Sequence, residues 1–320
     1  MRGFDRLGNT SHPLQLTCVK TNLGGRPKLL VMKSDDPNML NAVHEEPHLP
    51  QEVVLELLHC QLRNNIAPLA LEIDCAAMRT WGEEQMQERF RYQNLVRELR
   101  AWNHYLNRRP ISRILINEPF CLMDAPSLTE LTHAIGQNLK LISGNHVEHT
   151  ATLAIADITR QNIALLKGLG FNHIEIRVPV DFDIQQLRQV KQTLLEFKIA
   201  YVSLQLDFGS ERDAFSMQLM ELLSFVEPAT LAFHRSIKDP LARIAGEGLT
   251  ALLMQFGYFL HEDNTIMRFN SPLRSRPTDC VRLGPGAASR FGAMRTVNFA
   301  TAPAYHARVQ TNGLPVATCR

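Results

Sequence analysis

Hydrophobic positions along this chain follow two alternating rhythms. Short apolar runs read as strands over residues 69–74, 113–117, 146–153, 173–178, 200–206 and 230–233. Between them, apolar residues recur at helical spacing over 83–106, 127–139, 157–169, 183–197 and 213–225. One more helix is predicted ahead of the first strand, where Val53, Val54, Leu57, Leu58 and Leu62 share a face. Local signals agree: Ser127 with Glu130 forms a capping box, Asp157 can cap the helix it precedes, and Gly168 and Gly170 suit a helix end. Strands alternating with helices imply a parallel sheet, because each parallel step needs a crossover.

Outside this stretch the rhythm changes. Residues 1–48 are polar and proline-interrupted, apart from an apolar run at 28–32, and read as a mostly irregular extension. From Lys238 onward one helix is followed by short strands near 258–260 and 265–269, a Gly/Pro/Ser-rich segment and a last helix near 302–310. The expected division is an extension over 1–48, an alternating core over 49–237 and an appendage over 238–320.

Composition narrows the possibilities. The 320 residues, 45% hydrophobic and 21% charged, suffice for a large core, and the formal charge of +2 gives no ground for nucleic acid or an anionic membrane as partner. No apolar run approaches the roughly 18 residues of a bilayer span. The N-terminal residues lack an apolar signal core, so the cytoplasm is the expected location. The six cysteines, Cys18, Cys60, Cys75, Cys121, Cys280 and Cys319, are far apart with no C-x2-C spacing. That argues against a zinc ribbon, a redox dithiol and a compact cluster loop. P-loop, G-x-S-x-G, H-E-x-x-H and G-x-G-x-x-G motifs are absent as well.

Two segments carry a family resemblance. Asp279-Cys280-Val281-Arg282-Leu283-Gly284-Pro285-Gly286-Ala287-Ala288-Ser289, followed by Asn298, Tyr305 and Gly313-Leu314-Pro315-Val316, resembles the C-terminal signature of the oxygen-independent coproporphyrinogen oxidases. Heme chaperones and heme-utilisation proteins of the radical-SAM superfamily share it. Gly170-Phe171-Asn172, with Val178 and Asp181-Phe182 beyond it, is similar to that family's "GxNRxSxGVQSF" strand. The resemblance spans roughly residues 66–316. It implies an α/β fold: a partial TIM-like (β/α)6 barrel, open on one side, with an α+β C-terminal appendage.

The resemblance also implies a [4Fe–4S] cluster on a C-x3-C-x2-C loop after the first strand, with S-adenosylmethionine beside it. Here the chain departs. Cys75 fits the first ligand position, but Arg79 and Gly82 stand at the other two, and an arginine has no lone pair to offer. The family's GGTP loop is replaced by Asn117-Glu118-Pro119-Phe120-Cys121, and its E-x-N-P by Thr152-Leu153-Ala154-Ile155. In the "GxNR" strand His173, Glu175, Arg177 and Pro179 replace the expected Arg, Ser, Gly and Gln. Gln205 opens the counterpart of "DLLFG".

Ligands of such barrels gather at the carboxyl ends of the strands. That places Cys75, Cys121 and His234 where a thiolate or imidazole can ligate heme iron or another metal. Arg177, Arg235 and His173 would add positive charge suited to carboxylates, unless Glu118, Glu175 or Asp207 neutralises them. Gly284 and Gly286 are backbone architecture first, with cofactor contact as their functional alternative. Glu84, Glu88 and Glu98, interleaved with arginines, read as a solvated helix face. The expectation is a tetrapyrrole-binding protein, or an assistant to a heme-handling partner, without radical chemistry. The alternatives are an active radical-SAM enzyme with an unusual cluster on Cys75 and Cys121, or a non-catalytic interaction subunit.

Overall fold

Strand and helix alternate as the hydrophobic rhythm requires. The computed structural model describes residues 51–63, 65–79, 88–106, 109–142, 147–179, 182–207, 223–224, 226–234, 251, 253–260, 266–268 and 279–319. The expected extension over 1–48, most of the helices over 213–225 and 240–257, Gly82 and Arg235 lie outside the described residues.

After helix α1 (Gln51–Arg63), six strands run parallel in sequential order. They are β1 (Leu69–Asp74), β2 (Ile111–Asn117), β3 (Glu148–Ala154), β4 (His173–Val178), β5 (Tyr201–Asp207) and β6 (Thr230–His234). The crossovers between them carry α2 (Cys75–Arg79) with α3 (Glu88–Leu106), then α4 (Ala125–Asn138), α5 (Arg160–Gly168) and α6 (Ile184–Glu196). Side chains alternate across each strand. Leu71, Ile73, Ile114, Ile116, Ile174, Ile176 and Leu204 share one face and join the apolar faces of the helices in a single buried core. No helix among the described residues is long and apolar enough to cross a membrane.

Helix starts differ in detail from the sequence reading. Asp124, not Ser127, caps α4: its Oδ1 accepts from Ser127 N–H at 2.9 Å, so Ser127 sits inside the first turn. Thr159 rather than Asp157 caps α5, accepting from Asn162 N–H at 3.2 Å, because Asp157 closes a 3-10 turn just before it. Gly170 does end its helix segment, at φ 88°, where a side chain is disfavoured.

The C-terminal region is not a separate layer. Strands β7 (Tyr258–Leu260) and β8 (Ile266–Arg268) extend the sheet antiparallel beyond β6. On the opposite side β9 (Cys280–Leu283) lies parallel to β1, followed by antiparallel β10 (Ala288–Phe291), β11 (Met294–Asn298) and β12 (Val316–Cys319). Among the described residues the sheet therefore has 12 strands, in the order β12-β11-β10-β9-β1-β2-β3-β4-β5-β6-β8-β7.

Helix α7 (Ala302–Gln310) and the glycine-rich turn are pinned to the core through one carboxylate. Glu98 on α3 is fully buried, correcting its assignment to a solvated face. Its Oε2 accepts from Gly284 N–H at 2.8 Å and from the Tyr305 hydroxyl at 2.5 Å. Oε1 accepts from Asn298 Nδ2 at 2.7 Å and Trp102 Nε1 at 3.3 Å. Burial pushes Glu98 up to about 7, and these donors oppose the rise. Asp279 makes a second pin: Oδ2 meets Arg109 Nη2 at 2.7 Å in a buried ion pair and Asn65 Nδ2 at 2.9 Å, while Oδ1 accepts from Gly292 N–H at 2.7 Å. The Asp, Gly, Asn and Tyr of the C-terminal signature are thus joints between the appendage and the first crossover.

Candidate functional site

The face of the sheet opposite the core is polar. Glu72, Asp74, Arg113, Asn117, Glu148, Thr150, Thr152, His173, Glu175, Arg177, Ser203, Gln205 and Thr230 occupy its alternate positions, in register across β1 to β6. Period-two polarity in Glu148-x-Thr150-x-Thr152, His173-x-Glu175-x-Arg177 and Ser203-x-Gln205 was the available signal. Apolar neighbours in the same strands mask it when only hydrophobic runs are counted.

Deep in this face a hydrogen-bonded chain crosses four strands. Glu148 Oε1 lies 3.0 Å from His173 Nδ1 and accepts from Thr150 Oγ1 at 3.0 Å. Arg113 Nε sits 3.1 Å from the same oxygen. His173 Nε2 is 2.7 Å from Ser203 Oγ, which accepts from Thr230 Oγ1 at 2.6 Å. Hydrogen bonding to His173 and the Arg113 charge outweigh burial and lower Glu148 to about 2. Carboxylate, imidazole and hydroxyl stand in the order used by serine hydrolases. Yet Ser203 is only 1% exposed and already receives the Thr230 hydrogen, so the chain serves as a cross-strand lock. His173 therefore sits below the mouth, not at it.

The mouth is built by the loops after β1, β2 and β4. Asn117 Nδ2 donates to Asp74 Oδ1 at 2.9 Å, tying two strand ends together. Glu118 follows in a left-handed conformation, φ 49° and ψ 58°, with its N–H on Thr152 O at 2.9 Å. A non-glycine residue held there is strained, and such strain clusters at binding and catalytic sites. A 3-10 turn, Pro119–Cys121, comes next. The Glu118 carboxylate pairs with Arg177 Nη1, and Arg177 Nε reaches Gln205 Oε1 at 3.4 Å. Glu118 is thus the neutralising partner of Arg177, one of the three acids that the sequence left open for that role, and no sequence signal marked the strained backbone that delivers it.

The other predicted site residues fall as follows. Cys75 opens α2, fully buried beside the turn that carries half-buried Cys121. Burial first, then the charges of Cys121, Asp74 and Glu118, push the Cys75 thiol well above its usual range, so it stays protonated. His234 ends β6 opposite Asp207, but both side chains lie outside the described residues, as does that of Arg79. Gly284 is buried at φ 111°, its N–H on Glu98 and its carbonyl accepting from Asn298 Nδ2 at 2.7 Å; Gly286 is exposed at φ 63°.

A [4Fe–4S] cluster open to S-adenosylmethionine takes three thiolates from its loop. The loop after β1 offers one cysteine, a buried one, and among the described residues no three His, Cys, Asp or Glu side chains converge to hold a metal. The donor set does not fit that cluster.

Parallel strands in sequential order, helices on one face and polar groups on the other define an α/β fold built on one large, mostly parallel sheet. Among solved structures, the coproporphyrinogen III oxidase HemN from Escherichia coli, a radical SAM enzyme, superposes with a TM-score of 0.68 at 15% identity. The match covers 85% of this chain and 75% of that one. HydG, a maturase of the [FeFe]-hydrogenase, matches at a TM-score of 0.36 and 12% identity over 63% of this chain and 53% of its own, too loose a fit to argue from. No family profile and no curated protein sequence matches the chain.

Proposed function

We propose that this chain is a tetrapyrrole-handling protein on a radical-SAM scaffold that has given up cluster-based radical chemistry. The reading rests on one observation: a HemN-like fold over most of the chain whose first-strand loop keeps a single cysteine. Heme or a related tetrapyrrole is the proposed ligand, bound by this chain or passed to a protein partner. Arg177 and His234 are the proposed contacts at the strand ends, with Gly284 and Gly286 as further proposed contacts and Cys75 and Cys121 as the available sulfur ligands.

Anaerobic reconstitution with iron and sulfide, followed by titration with hemin, tests this. The expected result is no acid-labile sulfide and a Soret shift that weakens in His234→Ala. Stoichiometric iron and sulfide, lost in the Cys75→Ala, Cys121→Ala double variant, would overturn it in favour of an unusual cluster.

A further inference from the structure

A cleft of about 710 Å³ lies at the carboxyl ends of β3 and β4, where α6 crosses them. The volume falls within the roughly 300–1,000 Å³ typical of small-molecule sites. Its floor is apolar, formed by Ile155, Ile158 and Val190, and Gln189 stands on its α6 side. Two arginines are among its lining residues, Arg177 and Arg160. We propose that this cleft binds an amphipathic ligand that carries carboxylates on an apolar body, with Arg177 and Arg160 as the carboxylate contacts.

Three observations carry the assignment. Arg177 already holds a carboxylate, that of Glu118, so its setting suits this chemistry. Arg160 is held over the Phe197 ring at 5.8 Å, and its ion pair with Glu196 is solvent-exposed, hence weak and readily exchanged. The strained backbone at Glu118 marks the same rim.

A long-chain dicarboxylate and the propionate edge of a tetrapyrrole both present this chemistry, so two probes separate them: dodecanedioate and hemin, with hemin dimethyl ester as the uncharged control. The full chain is compared with Arg177→Gln and with Gln189→Trp, which fills the cleft from an exposed position of α6. Binding weaker by about tenfold in both variants, and in the wild type with the ester, is expected. Hemin binding indifferent to both substitutions overturns the cleft and leaves the tetrapyrrole reading standing. Dodecanedioate binding that depends on Arg177 and Gln189, without hemin binding, keeps the cleft and removes that reading. Binding of neither probe overturns both.

Discussion

The Tyr305 hydroxyl lies 2.5 Å from Glu98 Oε2, joining the last helix to the first long crossover helix inside the core. Both side chains are fully enclosed, and burial and the Glu98 charge push the phenol well above its usual range, so it remains a donor. Tyr305→Phe leaves a buried carboxylate one hydrogen bond short. The expected loss is about 1–3 kcal/mol, read from the urea midpoint. A midpoint within error of the wild type would show that the joint contributes nothing.

Glu98 and Glu148 set opposite pH dependences. Glu98 rises from 4.5 to about 7 on folding, so its contribution is complete below pH 4.5 and is lost as pH climbs toward 7. Glu148 falls from 4.5 to about 2, so its contribution is complete above pH 4.5 and is lost as pH drops toward 2. Each limb amounts to something on the order of 3 kcal/mol. Denaturation across pH should show Glu98→Gln flattening the neutral limb and Glu148→Gln the acid limb. Identical profiles for the two variants would contradict the assignment.

How much of this could be read beforehand depended on range. The parallel strands and their crossovers were legible, because each is a local hydrophobic rhythm of its own. Glu98 was misread because its burial is imposed by Gly284, Asn298 and Tyr305, about two hundred positions away in sequence, and no local period encodes that. The polar face was legible in principle, as the Glu148 and His173 alternations show. The Arg177–Glu118 pair was one of three pairings that charge left open, whereas the left-handed turn at Glu118 has no signal in residue type, since glycine or asparagine is the usual occupant.

The lock on the polar face predicts strong coupling. In a double-mutant cycle of Glu148→Gln with His173→Gln, each single change should be destabilising and the pair markedly non-additive, by about 0.5–3 kcal/mol. Additivity would mean that the imidazole and the carboxylate do not support each other.

Two glycines of one turn should behave differently. A Cβ on Gly284 would meet Met78 Sδ at 3.2 Å and needs φ 111°, whereas on Gly286 it meets only Ala300 atoms at 3.8 Å, at a φ of 63°. Gly284→Ala is therefore expected to lower stability by more than about 1 kcal/mol and Gly286→Ala by less. Thermal midpoints in the opposite order would refute the local geometry.

Thiol chemistry offers a direct reading of the strand-end cysteines. Exposed Cys60 should be alkylated rapidly by iodoacetamide near neutral pH, while Cys75, buried and protonated, should react only after unfolding. Peptide-level mass spectrometry resolves the two. Equal labelling rates in the native protein would mean that the β1 loop opens readily.

The pairing of β1 with β9 also bears on how the protein is made. Glu72 and Arg282, partners across that pair at 2.6 Å, are 210 positions apart. On the ribosome, one edge of the first strand waits for nearly the whole polypeptide before its neighbour arrives. Unpaired edges invite association between nascent chains, and contacts so distant in sequence slow productive folding. The nascent chain thus carries an open strand edge through most of its synthesis, and any fragment ending before β9 keeps that edge unpaired.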